Sequence, residues 1–387
     1  MRILHIVSSI DPRTGGPAEA IRSVSVALKQ RKHELEVVSL DTPDASYVTD
    51  FVIDAAGVGP VPAKYGYTPK LAEWIEANKE RFDVAIIHGL WNHSSIGGRA
   101  ALLKAKIPYV VFTHGMLDPW FNSVQPVKRW AKQLFWLAAQ SWVLVDARTV
   151  LFTCEEERTL ARRAFVGPRY RERVVAFGVE EPPPAGTDDP AGFRANVPGL
   201  GDAPYILFLS RIHPKKGCDM LVEAFIMLAS EVPDLHIVIA GPDQVGEQAA
   251  LETAARKGGV SGRVHFAGML QGSAKWGAFR GAEAFILPSH QENFGIVVAE
   301  AMACGTPALI SNKVNIWREV EETGAGLVEP DTVEGTYALM RNYLALSPPE
   351  RAAMRQRARA GYEEKFGLEA AATDLEAVLL EIGDKNQ

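Results

Sequence analysis

Apolar residues arrive along the chain in short pulses, each about one strand long, and the stretches between them repeat with helical period. Arg2 to Ser8 predicts a strand, Gly15-Gly16-Pro17 a loop, Ala18 to Gln30 a helix, and Glu34 to Leu40 the next strand. That order opens a parallel α/β unit, whose right-handed crossover puts the loop at the carboxyl end of the first strand. Val84 to His88, Tyr109 to Thr113 and Thr149 to Thr153 predict further buried parallel strands.

From Glu181-Pro182-Pro183-Pro184 through Gly201 the periodic pattern stops, and proline, glycine and aspartate crowd together as in an exposed linker. It restarts with a strand at Tyr205 to Ser210, a helix from about Cys218 to Glu231 and a strand at Leu235 to Ala240. Val264 to Phe266, Ala284 to Leu287, Ala308 to Ser311 and Ala325 to Val328 are further strands. The expected fold class is α/β: two doubly wound domains facing each other across a cleft. Their expected limits are 1–185 and 203–369, joined by a linker at 186–202. A terminal helix and tail, 370–387, packs either on the second domain or back on the first.

Composition narrows the function classes. With 387 residues, 47% hydrophobic and 23% charged, the chain can bury two cores, and a formal charge of -6 argues against bulk nucleic-acid binding. Cys154, Cys218 and Cys304 are too few and too dispersed for a disulfide framework or a zinc cluster, so a reducing, cytoplasmic setting is expected. The amino terminus enters a strand at once, without the pattern of a signal peptide, and no run of about 18 apolar residues predicts a membrane span.

Candidate chemistry gathers at the ends of predicted strands. Arg211 and Lys216 follow Tyr205 to Ser210, where an α/β protein ordinarily holds its ligand. Two cations there suit a diphosphate, whose attraction grows as it leaves with its charge, and they equally suit a solvated turn. Further on, Glu292 lies in a loop after Ala284 to Leu287, while Glu300 lies about two turns into a small-residue helix that starts near Gly295. The two carboxylates therefore have different jobs. Amides at the helix start can meet phosphate or sugar oxygens, and Gly295 lets that backbone come close. Helix capping by Glu292 or Asn293 and a solvated Glu300 are the bland alternative. Gly305-Thr306-Pro307 marks the turn into the next strand.

Together these features resemble the retaining nucleotide-sugar glycosyltransferases of family 4, which have a two-domain GT-B fold with Rossmann-like halves. The family pattern of two glutamates with seven residues between them matches Glu292 and Glu300. Glu292-Asn293-Phe294-Gly295, Gly305-Thr306-Pro307 and the Arg211, Lys216-Gly217 pair strengthen the match, and the resemblance runs from Met1 to about Ile382. It implies that Glu292 touches the transferred sugar, Glu300 the ribose, and Arg211 and Lys216 the donor diphosphate. Backbone of Asn293, Phe294, Gly295 and Ile296 is expected on donor hydroxyls and phosphate, with Val264, His265 and Phe266 beside the base. Gly15 and Gly16, a weak signal alone, gain value as a loop approaching donor phosphate.

In the first half, His88 and His114 both follow predicted strands. A lone histidine is as well read as a satisfied structural group. The segment His114 to Trp120 resembles a subset of family 4 that builds bacterial surface polysaccharides, which puts His114 with Glu292, Arg211 and Lys216 in the catalytic set. His88, Asp118, Trp120 and Lys128 are acceptor-side candidates, although Asp118-Pro119 also suits a plain turn. Lys128, Arg129 and Lys132, interleaved with Trp130, Phe135 and Trp136, suit an acceptor pyrophosphate, an anionic membrane surface or a solvent face.

The expected activity is retaining transfer of a hexosyl unit from a nucleoside diphosphate sugar, UDP before GDP, to a saccharide or lipid-linked saccharide in surface polysaccharide biosynthesis, such as lipopolysaccharide or exopolysaccharide. The alternatives are a GDP-sugar-dependent mannosyltransferase and a non-catalytic nucleotide-sugar-binding scaffold. No cofactor and no metal are expected beside the donor, nor a nucleic-acid partner. Peripheral contact with the cytoplasmic face of an anionic membrane stays open.

Overall fold

The computed structural model describes residues 1–14, 16–61, 64–119, 126–184, 186 and 190–384. They form two compact units, Met1–Gly178 with Leu368–Gln387, and Val179–Gly367.

The first unit is built on a seven-stranded parallel sheet: β1 (Arg2–Val7), β2 (Glu34–Ser39), β3 (Asp54–Gly57), β4 (Val84–His88), β5 (Tyr109–Phe112), β6 (Thr149–Phe152) and β7 (Glu172–Val174), in the order β3-β2-β1-β4-β5-β6-β7. Helices cover both faces, which is why its central strands are apolar without alternation. Leu4, Ile6, Ala85, Ile87 and Val111 belong to one core, and Ile3, Val7, Val84, Ile86 and Val110 to the other. The second core is closed by the helices Gly16–Gln30 and Leu368–Asp384, through Ile21, Leu28, Leu375, Val378 and Leu379.

The carboxyl-terminal helix thus packs on the first unit. Arg31 holds it through Glu376 at 2.6 Å and through Glu369, and His33 meets Glu376 at 2.7 Å.

The second unit carries six parallel strands: β8 (Tyr205–Leu209), β9 (His236–Ala240), β10 (Val264–Gly268), β11 (Ala284–Leu287), β12 (Ala308–Ser311) and β13 (Gly326–Glu329), in the order β10-β9-β8-β11-β12-β13. In both sheets the strand order reverses beside the first strand, between β1 and β4 and between β8 and β11. The crevice outside the carboxyl ends of such a pair is where open α/β sheets bind ligands.

The expected linker, 186–202, is instead partly packed structure. It contains the helix Pro190–Ala195, whose Phe193 is buried with its ring 5.7 Å from that of Tyr205. Arg194 lies over the Tyr205 ring and donates to the Gly201 and Ala203 carbonyls. One short turn among prolines and glycines leaves no periodic signature. The edge strands β3 and β7 also lack one, since Asp54–Gly57 and Glu172–Val174 contain no apolar run.

Candidate functional site

In the second unit the site grows from the ends of β8 and β11. After β8 the chain passes Arg211, makes a single 3-10 turn at Pro214–Lys216 and starts the helix Cys218–Leu228 from Gly217. Gly217 has φ +69°, and a Cβ there would stand 2.4 Å from the Pro288 carbonyl oxygen, so glycine alone lets this loop lie against the one after β11. The His290 amide donates to the Lys215 carbonyl at 2.8 Å, tying the two loops together.

This packing puts the Lys216 ammonium against the Glu292 carboxylate, with the lysine 6% exposed. Glu292 is itself fixed by backbone: its amide donates to the Lys313 carbonyl at 3.0 Å, and its carbonyl accepts from Asn315 at 3.0 Å. Arg211, at the exposed edge, donates to the Gln244 side chain at 3.1 Å. His213 is held below its ordinary value by burial and by the cations Arg211, Lys215 and Lys216. Positive charge therefore concentrates in this loop.

Gly295, at φ +77°, caps the helix Ile296–Ala303, whose first amides lie next to Glu292 in the chain. Glu300, within that helix, meets Lys275 at 2.8 Å, and the Lys275 ammonium lies 4.2 Å from the Trp276 ring centroid. Asn293 is reached by the Asn315 amide at 3.4 Å. Phe294 is buried edge-on against Phe366, leaving its backbone as the part that can serve a ligand. Val264 is buried on the edge strand β10, beside Phe266, and the His265 ring stacks on His236 with a nitrogen contact of 2.8 Å.

In the first unit three histidines stand in a row across the sheet. His5 Nδ1 lies 2.9 Å from His88 Nε2, and His88 Nδ1 lies 3.0 Å from His114 Nε2. They come from β1, β4 and the turn after β5, on the face covered by the two closing helices. Burial holds His5 down to about 3 and His114 down to about 4. His88 is pushed well below its ordinary value by burial and then by its two neighbours. All three are neutral near pH 7, and a neutral imidazole offers one donor and one acceptor.

The backbone around them is unusual. Trp91 and His114 have φ +72° and +48°, left-handed values that cost a non-glycine residue about 1–2 kcal/mol each. The turns interlock: the Trp91 amide donates to Gln140 at 2.8 Å, and its indole to the Met116 carbonyl at 3.2 Å.

Gly16 opens the helix Gly16–Gln30, whereas Gly15 and Trp120 lie outside the described residues. Asp118 follows the His114 turn, its amide donating to the Gly115 carbonyl at 3.0 Å. Lys128 belongs to the helix Pro126–Phe135, with its side chain outside the described ones. His5, Glu157 and Lys275 were missed. A histidine inside an apolar strand, one of three consecutive glutamates and a lone lysine in an ordinary helix carry no local signal, and only the fold shows what they face.

Among known proteins, the pattern described as Glycosyl transferases group 1 matches residues 193–361, and that described as Glycosyl transferase 4-like domain matches 15–178. A D-inositol 3-phosphate glycosyltransferase of Jonesia denitrificans is 34% identical over 62% of this chain, and the matched part spans 59% of that protein. A phosphatidyl-myo-inositol mannosyltransferase of Mycolicibacterium smegmatis is 28% identical, covering 84% of this chain and 80% of its own. Among solved structures, Anabaena HepE in complex with UDP superposes with a TM-score of 0.76 over 98% of this chain and all of its own, at 18% identity. WaaG, a glycosyltransferase involved in lipopolysaccharide biosynthesis, gives 0.63 over 99% of both chains at 15% identity. These likenesses share the architecture of two parallel-stranded units.

Proposed function

Because the chain belongs to the glycosyl transferases of group 1 with a 4-like amino-terminal domain, we propose that it transfers a hexosyl unit from a nucleoside diphosphate sugar to an acceptor hydroxyl with retention of configuration. The observation that carries this reading is the paired arrangement after β8, β10 and β11: Lys216 on Glu292, Lys275 of the helix Gly272–Gly281 on Glu300, and a helix start between the two carboxylates.

In this reading Arg211, Lys216 and the amides from Gly295 onward neutralise the diphosphate. Glu292 accepts hydrogen bonds from the sugar, Glu300 from the ribose, and His114 hydrogen-bonds a sugar hydroxyl in its neutral form. The bond from the anomeric carbon to the diphosphate breaks, the leaving oxygen takes the acceptor's proton, and the new glycosidic bond forms on the same face. The protein's own cations do the neutralising, so the proposal needs no divalent metal.

UDP is the preferred nucleotide, supported by the UDP bound to HepE. A GDP-linked mannosyl donor is the rival, favoured by the mannosyltransferase relative. For the acceptor we prefer a saccharide or lipid-linked saccharide of a surface polysaccharide, with the lipopolysaccharide role of WaaG in support. Both curated relatives instead name inositol compounds, so an inositol phosphate is the second reading.

No helix among the described residues is long and apolar enough to cross a membrane. Peripheral contact is supported by the helix Pro126–Phe135 and its surroundings, where Trp130, Leu134 and Val166 are 74%, 67% and 80% exposed beside Arg129 and Lys132. Gln133 fixes Val166 next to that helix by two hydrogen bonds.

Product NMR with a panel of UDP- and GDP-sugars, against lipid-linked saccharides and inositol phosphates, tests the reading. A retained linkage supports it. An inverted linkage, or donor binding with transfer to neither acceptor nor water, overturns it.

A further inference from the structure

Glu157 is 3% exposed, yet its carboxylate is fully occupied by four donors from two strand ends. Oε1 accepts from the Thr113 hydroxyl and the Gly115 amide, both at 2.7 Å. Oε2 accepts from the Thr153 amide at 2.8 Å and the Thr153 hydroxyl at 2.7 Å. Thr113 and Gly115 are the two neighbours of His114. One buried group thus grips both sides of the residue whose backbone is left-handed, φ +48°, followed by Gly115 at φ +72°.

The carboxylate sits in the first turn of the helix Glu155–Ala161, which is capped by Cys154. A glutamate at this third position commonly returns to the amide of its own cap residue. Here it reaches back to Thr153 and across to the turn after β5. Burying a charge is costly unless donors replace the lost water, and here four do. The strained turn they hold directs the His114 ring to within 3.0 Å of His88.

We propose that Glu157 is a positioning residue for His114, setting the turn that presents the imidazole, and that it acts on transfer only through that histidine. The inference rests on the preceding reading solely for the statement that His114 meets the substrate.

Glu157→Gln tests it in the full chain. The carboxamide keeps one acceptor oxygen and turns an NH2 toward one pair of donors, so either the Gly115 or the Thr153 amide loses its partner. Exchange of that amide should quicken at least about 10-fold. Turnover should fall about 10²-fold, with donor KM within about threefold. In a His114→Ala background the same change should cost almost nothing further. An equal loss in both backgrounds overturns the proposal, as does unchanged amide exchange in Glu157→Gln.

Should Glu157→Gln not fold, Thr113→Val removes a single donor. A smaller loss that vanishes in the His114→Ala background supports the proposal, and an additive loss overturns it. If the wild-type chain transfers no sugar, the functional reading fails by itself. The His114 ring signals and Gly115 exchange still report the turn, and their indifference to Glu157→Gln would sink the positioning role.

Discussion

Lys216 and Glu292 neutralise each other in the free protein, the lysine 6% exposed and the glutamate carboxylate fixed through its own backbone. A diphosphate arriving at this loop would compete with Glu292 for the ammonium, and a sugar hydroxyl would compete with Lys216 for the carboxylate. Under the proposed function, the pair would offer one partner to each half of the donor.

Replacing Lys216 by alanine should therefore weaken UDP binding about 10-fold or more, the loss of one charge-assisted hydrogen bond. Titration calorimetry with UDP and uridine separates the diphosphate contribution from that of the nucleoside. Equal affinity for UDP in wild type and variant would remove Lys216 from the diphosphate.

Lys275 holds Glu300 at 2.8 Å, and its own place is fixed over Trp276. Glu300→Ala should cost about 1–2 kcal/mol in binding UDP and nothing in binding a 2′,3′-dideoxy analogue. Lys275→Ala should cost part of that amount with the same dependence on the ribose hydroxyls. A loss shared equally by both ligands would place Glu300 away from the ribose.

The histidine row makes the first unit acid-sensitive with a definite sign. Folded His5 and His114 titrate near 3 and near 4, below the ordinary value of about 6.5, so the unfolded chain takes up protons first as pH falls. Stability is complete above about pH 6.5 and declines below it toward pH 4, by up to about 1.4 kcal/mol per pH unit for each such histidine. Urea unfolding at pH 7.5, 6, 5 and 4.5 should show this slope, shallower in His5→Phe. An identical slope in that variant would mean that His5 gains its proton without loss.

Metal removal tests the charge assignment from the other side. With Arg211 and Lys216 neutralising the diphosphate, dialysis against EDTA should leave turnover within about twofold of the untreated enzyme. A loss restored by magnesium or manganese would show that the cations of this loop are insufficient.

Vesicles containing anionic lipid should bind the chain, less so at high salt, and less so after Trp130→Glu or neutralisation of Arg129 and Lys132. Binding to neutral and anionic vesicles alike would assign the surface to apolar contact without the charges. Absence of binding to either would leave the exposed Trp130, Leu134 and Val166 to another partner.

Much of the architecture was legible because buried parallel strands announce themselves. Val84–His88, Ala284–Leu287 and Ala308–Ser311 are apolar pulses with glycine or proline close by, and each is a strand of that extent. Strands β3 and β7 were silent, since an edge strand needs no continuous apolar face. The places of the candidate residues Arg211, Lys216, Glu292 and Glu300 were legible for a related reason: they are local to strand ends and a helix start. Glu157 shows the limit. It is the third of Glu155-Glu156-Glu157, and along the sequence nothing separates it from its two neighbours. Only the helix phase turns that one carboxylate into the protein, and only the pairing of β5 with β6 brings its donors together.

The chain leaves the first unit after Gly178 and returns to it at Leu368, and the segment between begins and ends on neighbouring residues, Val179 pairing with Gly367. The second unit is thus an insertion with its two ends side by side. It is one continuous segment, 179–367, whereas the first unit is made of two. The first unit cannot be obtained by truncation: stopping the chain at 367 removes the helix that closes its core, with Leu375, Val378 and Leu379, and frees Arg31 and His33 of their carboxylates. A deletion from the far carboxyl end would therefore register as damage to the amino-terminal half, the half that carries His114.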